Sequence, residues 1–159
     1  MVSDMDMKHL KRCVELAEEA LDAGDAPFGS VLVSADGDVL KEDRNRDATV
    51  DKTHHPEFEL ARWAAQNMTP EDRKKATVYT SGEHCPMCST AHGIARLGRI
   101  VYISSSEQLS EWHKEMNIFQ EGPIHYYPIQ DVIRNADVEG PVPELAEQVR
   151  ELQRRYHKG

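Results

Sequence analysis

Disulfide bonding has little to work with in this chain, because 159 residues carry only three cysteines, and two of those form the close pair Cys85 and Cys88. An odd number of thiols cannot build a disulfide framework, so metal or redox chemistry is the better expectation for the pair. Long apolar stretches are also missing. The longest are a few residues, such as Val31 to Val33, far short of the roughly 20 that span a bilayer. The acidic start Ser3-Asp4-Met5-Asp6 has no apolar core region, so no signal peptide is expected and the cytoplasm is the expected compartment. Positive charge is scarce as well: 19 Lys and Arg stand against 28 Asp and Glu, a formal charge of −9. Phosphate neutralisation dominates nucleic-acid affinity, so a polyanionic partner is not expected. The basic cluster Arg150, Arg154, Arg155 and Lys158 reads as a solvated helix end whose cations complement the helix dipole.

What is present describes an ordinary globular chain, with 39% hydrophobic and 30% charged residues. That length buries a sizeable core without covalent staples. No repeat, low-complexity tract or linker divides the sequence, so one domain over residues 1–159 is expected.

Apolar residues Leu10, Cys13, Val14, Ala17 and Leu21 recur at helical spacing from Lys8 to Ala23, and Gly24 supplies a stop. Cys13 falls on that apolar face and reads as a small core residue. Val31 to Val33, the turn Asp36-Gly37-Asp38 and a second run from Val39 to Glu42 form a hairpin pattern. Residues from Asn45 to His54 are polar and irregular, and a helix resumes at Pro56. Ala76 to Thr80 predicts a strand, Cys85-Pro86 to about Arg96 a helix, and Ile100 to Ile103 another strand. Glu107 to Met116 is helical in pattern, Tyr126 to Ile129 is a candidate last strand, and an amphipathic helix follows Pro143. Alternating strands and helices of this kind predict an α/β fold, with helices packed on a central sheet.

Two short motifs open two of these helices: His55-Pro56-Glu57 and, thirty residues on, Cys85-Pro86-Met87-Cys88. Zinc takes tetrahedral nitrogen and sulfur ligands, and cysteines at i and i+3 reach one ion when the first sits at a helix start. The dipole there favours thiolate. A histidine at the start of a neighbouring helix supplies a third ligand and leaves the fourth position to water, the pattern of catalytic zinc. Glu57, two residues past His55, is placed to handle the proton of activated water. His-x-Glu followed by Cys-x-x-Cys is the signature of zinc nucleobase deaminases. A thioredoxin-type dithiol is the rival reading, but it leaves His55 and Glu57 unused and expects proline where Met87 stands. A closed structural zinc site needs a fourth ligand. His92 lies too far along its helix from Cys85 to serve, and it reads as a histidine of the core or of the ligands' surroundings.

On these residues the chain resembles the cytidine and deoxycytidylate deaminase superfamily, in the branch that contains guanine deaminases and tRNA adenosine deaminases. Pro27-Phe28-Gly29, Asn45, His55-Pro56-Glu57 and Cys85-Pro86-Met87-Cys88 stand in family order between Lys8 and Ile103. The resemblance implies a three-layer α/β/α sandwich with a mixed central sheet of about five strands. It also implies Zn2+ on His55, Cys85 and Cys88, Glu57 as proton shuttle, Asn45 hydrogen-bonded to the base or sugar, and Phe28 lining the base pocket. A homodimer is implied too, with the segment 141–159 closing the site or contacting the partner. One position departs from the pattern: the family's Glu-Pro before the first cysteine is Glu83-His84 here. His84 can donate, accept and titrate where proline only stiffens, which makes it a candidate substrate contact, with a solvent-facing loop residue as the alternative. In the 107–120 segment, Glu111 or Glu115 is a candidate partner for the base's amino group, against a solvated helix face.

The activity so implied is hydrolytic deamination of a small base or nucleoside, guanine first. Cytosine-type or other aminated heterocycles come second and tRNA third, and no membrane partner is expected. Outside the enzyme class, the rival is a zinc-stabilised binding module.

Overall fold

The computed structural model of the chain describes residues 1–119 and 122–158. The last residues of the expected 107–120 and 141–159 segments lie outside them.

Helix α1, Asp4–Asp22, starts four residues earlier than the apolar repeat suggests. Its start is set by a capping box: the Ser3 hydroxyl accepts from Asp6 N at 3.1 Å, and the Asp6 carboxylate accepts from Ser3 N at 2.9 Å. The hairpin follows as β1, Gly29–Val33, and β2, Val39–Arg44, with Gly37 at φ 89° in its turn. Helix α2, Pro56–Asn67, is trailed by a short α3, Pro70–Lys75, which has no buried residue and therefore no apolar periodicity to announce it. Strand β3, Thr77–Gly82, leads into α4, Pro86–Ala95, and β4, Arg99–Ser104, leads into α5, Ser106–Glu115. A single turn α6, Ile129–Val132, the two-residue β5, Val138–Glu139, and α7, Pro143–Lys158, complete the chain.

The five strands lie in the order β2-β1-β3-β4-β5. Strand β1 is antiparallel to β2 and β3, whereas β3, β4 and β5 run parallel, so the sheet is mixed as expected. Helices α1 and α7 pack on one face, while α2, against β1 and β2, covers the other and is itself packed on α4. Strand alternation sorts the core between these layers. Val31, Val33, Tyr79, Val101 and Ile103 face α1 and α7, while Leu32 and Val78 face Leu60 and Ala64 of α2. Cys13 is fully buried in the first of these layers, as a core residue should be. Strand β1 begins almost in contact with α1: a Cβ on Gly29 would lie 2.4 Å from Leu16 Cβ and 2.6 Å from the Cys13 carbonyl.

The expected strand from Tyr126 to Ile129 is not formed. Tyr126 and Tyr127 are exposed, Pro128 has no N–H to give a ladder, and Ile129 opens α6 instead. The fifth strand is Val138–Glu139, paired through Ile100 and Val101; two residues are too few to carry an alternating pattern.

Candidate active site

The same local device builds both halves of the site. His55 is the N-cap of α2 and Cys85 the N-cap of α4, each in extended backbone and each followed by proline at the first helical position. Proline pushes its predecessor out of the helical region and gives up an N–H that would be unpaired there. Neither cap residue spends its side chain on the helix end. Both are therefore free to face each other where α2 and α4 pack together.

Cys85 Sγ lies 3.5 Å from His55 Nδ1 and 3.5 Å from Cys88 Sγ, and Cys88 Sγ lies 3.6 Å from His55 Nδ1. A tetrahedral zinc ion has edges of about 3.8 Å between sulfurs and about 3.6 Å between sulfur and nitrogen. The triangle fits those edges, and its sulfur and nitrogen donors suit zinc better than magnesium or calcium. Among the described residues this is the one cluster of three such side chains within ligating reach of one another. The charges agree with that role. The Cys88 thiol and the His55 ring outweigh burial and draw the Cys85 thiol down to about 4, while Cys88 itself is pushed up by Cys85 and by burial. The Cys85 sulfur raises His55 to about 9.

Glu57 is buried in the first turn of α2. Its Oε1 accepts from Ser30 Oγ and Thr80 Oγ1, both at 2.8 Å, and Oε2 is left free of these bonds. Burial raises its carboxyl above the usual range, against the pull of His55 and the two hydroxyls. Asn45, also buried, gives its Nδ2 to the Ala26 carbonyl at 3.2 Å, and its Oδ1 has no partner. The loop that carries it is tied down by the fully buried Asp25. That carboxylate accepts from Ala48 N, Thr49 N, the Thr49 hydroxyl and Arg44. Phe28 is half-buried and lies over Gly82, where a Cβ would come within 2.9 Å of its ring.

The family model described as "Cytidine and deoxycytidylate deaminase zinc-binding region" matches residues 3–104, the stretch that holds all of these side chains. The chain belongs to this deaminase family. Zinc is its cofactor, and the enzyme is a hydrolase of the nucleobase and nucleoside deaminase kind. Of curated relatives, a probable cytosine deaminase of Schizosaccharomyces pombe is 29% identical over 144 residues, 88% of this chain and 86% of that protein. A guanine deaminase of Bacillus subtilis is 36% identical over 104 residues, 64% of this chain and 66% of that protein. The deaminase also shares its fold with a guanine deaminase from Nitrosomonas europaea, at a TM-score of 0.70 and 17% identity, covering 100% of this chain and 87% of that one.

The remaining candidates fall out as follows in the deaminase. His84 is fully buried rather than solvent-facing; its ring meets His92 edge-on at 5.5 Å, and neither of its nitrogens has a partner. His92 gives one nitrogen to the Gly98 carbonyl at 2.9 Å and is no ligand. Glu111 and Glu115 stand on the exposed face of α5, with Glu115 paired to Arg150, while Trp112 and Leu109 turn toward the core. No helix among the described residues is long and apolar enough to cross a membrane. Ser30, Thr80 and Asp25 were not legible as site residues; for Ser30 and Thr80 the available signal was a polar residue at an inward strand position, and Asp25 lies in the bend before β1.

Proposed function

We propose that the chain hydrolyses the exocyclic amino group of a free purine base or its nucleoside, with guanine as first substrate, and releases ammonia. The observation that carries this reading is the buried Glu57 carboxylate fixed beside the His55, Cys85 and Cys88 triangle. Those three residues would hold zinc, which supplies Lewis-acid activation of water near neutral pH. Glu57 takes a proton from the attacking water and passes it to the ring nitrogen next to the amino-bearing carbon. A second proton, from the hydroxyl newly bonded to that carbon, goes through the same carboxylate to the amino group. Ammonia then leaves, and a carbonyl remains. The free Asn45 Oδ1 accepts an N–H of the base, and Phe28 packs against its face. His84, with both nitrogens unsatisfied, is completed by a polar group of the substrate or a bridging water.

A small substrate suits the −9 charge better than a polyanion does. Helix α7 packs on α1 and β4 of its own chain. Near the end of that helix Arg155 pairs with Glu18 and Asp22 of α1. These contacts within the chain support one domain over 1–159; closure of the site by the helix, within the chain or across a homodimer, remains part of the proposal. A cytosine-type base is the second reading, favoured by the relative that matches over 88% of the chain. An ammonia-release screen over purine and pyrimidine bases, nucleosides and short RNA decides. Release from guanine above all others is expected, and release only from pyrimidines or RNA overturns the substrate.

A further inference from the structure

Strand alternation places Ser30 and Thr80 on the same face of the sheet as Leu32 and Val78, in the layer that α2 covers with Leu60 and Ala64. Both are 0% exposed. Apolar side chains would continue that layer without cost, whereas buried hydroxyls need hydrogen-bond partners. The two residues sit directly opposite each other across β1 and β3, and Ser30 Oγ is 3.0 Å from Thr80 Oγ1. Apart from each other, their side-chain partners are the Glu57 carboxylate, 2.8 Å from both, and the Gly82 carbonyl, 2.9 Å from Thr80 Oγ1.

We infer that Ser30 and Thr80 are positioning residues for the deamination: they hold Oε1 of Glu57 as a permanent acceptor and so reserve Oε2 for proton transfer. The inference rests on the proton-shuttle role proposed above for Glu57. A carboxylate on a three-torsion side chain presents two equivalent oxygens, and two wells compete unless one oxygen is tied. Donors on Oε1 resolve the choice, because an oxygen that accepts from a hydroxyl is the poorer place for a transferred proton. Each hydroxyl carries one hydrogen, and Oε1 is the acceptor that the two share. Both donors stand on paired inner strands of the sheet, and their side-chain hydrogen bonds go to Glu57, to each other and to the Gly82 carbonyl, not to the metal triangle, so their effect falls on the orientation of Glu57 and not on metal binding.

The experiment is steady-state kinetics of the zinc-loaded full chain carrying Ser30→Ala, Thr80→Val, Ser30→Thr and Thr80→Ser, with zinc content and Tm measured on each, and with Glu57→Gln alongside. Misplacement of a reacting group by about 1 Å costs on the order of 100-fold. Ser30→Ala and Thr80→Val are therefore expected to lower kcat by roughly 10- to 100-fold, with KM and zinc content held. The hydroxyl-retaining Ser30→Thr and Thr80→Ser should recover most of that loss. Unchanged kcat in Ser30→Ala and Thr80→Val, with Glu57→Gln inactive, overturns the positioning role and leaves the shuttle intact. A kcat loss that tracks lost zinc or lowered Tm, and is not recovered when the hydroxyl is kept, assigns the pair to the fold and also overturns it. An active Glu57→Gln enzyme overturns the reading underneath.

Discussion

Glu83 accepts a hydrogen bond from Ile129 N at 2.9 Å, across 46 residues of chain. Its second oxygen accepts from Ser106 N at 3.0 Å. Each amide opens a helix, α6 and α5 respectively, so one carboxylate satisfies two helix starts just before the metal loop. Glu83→Ala is expected to cost about 2 kcal/mol for the two charge-assisted bonds. In a chain of this size that lowers Tm by roughly 4–8 °C, read by calorimetry. A Tm within 1 °C or so of the parent would show that both helix starts find other acceptors.

Metal retention separates Cys85 from Cys13. Cys85→Ser and His55→Ala should each purify with little zinc, since two remaining ligands hold it poorly, whereas Cys13→Ala, altered only in the α1 core, should keep about one zinc per chain. Elemental analysis after dialysis against a chelator reads the difference. Zinc lost equally from the Cys13 variant would contradict the assignment.

Asn45 has a free amide oxygen in a buried place, so its removal should be felt in substrate binding. Asn45→Ala is expected to raise KM by about 10- to 100-fold, the value of one buried hydrogen bond, with zinc content unchanged. An unaltered KM would mean that Oδ1 serves the loop and not the base.

Stability below neutral pH should depend on Asp6. Burial pushes its carboxyl up, but Arg99, Ser3 N and the Tyr79 hydroxyl outweigh burial and hold it well below the ordinary carboxylate range. A carboxylate depressed in the folded state contributes stability that is complete above its unfolded value, about 4, and is lost as pH falls toward its folded value. Asp6→Asn should therefore cost about 2–3 kcal/mol at pH 7. The gap to the parent should begin to narrow as pH drops below about 4 and keep narrowing toward the folded value, in urea melts taken at successive pH values. A gap that stays constant with pH would show that packing, not charge, is what the carboxylate contributes.

The elements with strong periodicity were legible from the residues: α1, the hairpin, β3, β4 and α7 all stand close to where apolar spacing puts them. Elements without it were not. Helix α3 buries nothing, β5 is two residues long, and the aromatic run near Tyr126 mimics a strand although two of its side chains stay in solvent. In the site, the His-x-Glu and Cys-x-x-Cys spacings carry the metal triangle, because prolines after His55 and Cys85 impose the geometry locally. His84 was not readable in the same way. Nothing in its neighbours along the chain says that it turns beneath α4 to meet His92.

Residue order and type alone therefore determined the reaction class and the donor set, since a helix start, a proline and a three-residue step are local facts. Which nitrogen of His55 faces the cysteines, which oxygen of Glu57 is tied, and that β1 and β3 bring Ser30 and Thr80 together under α2 were decided only by the fold. Those relationships depend on strand register and on helix packing across 23 to 50 residues of chain, a separation at which sequence spacing carries no distance information and burial decides which polar groups must meet.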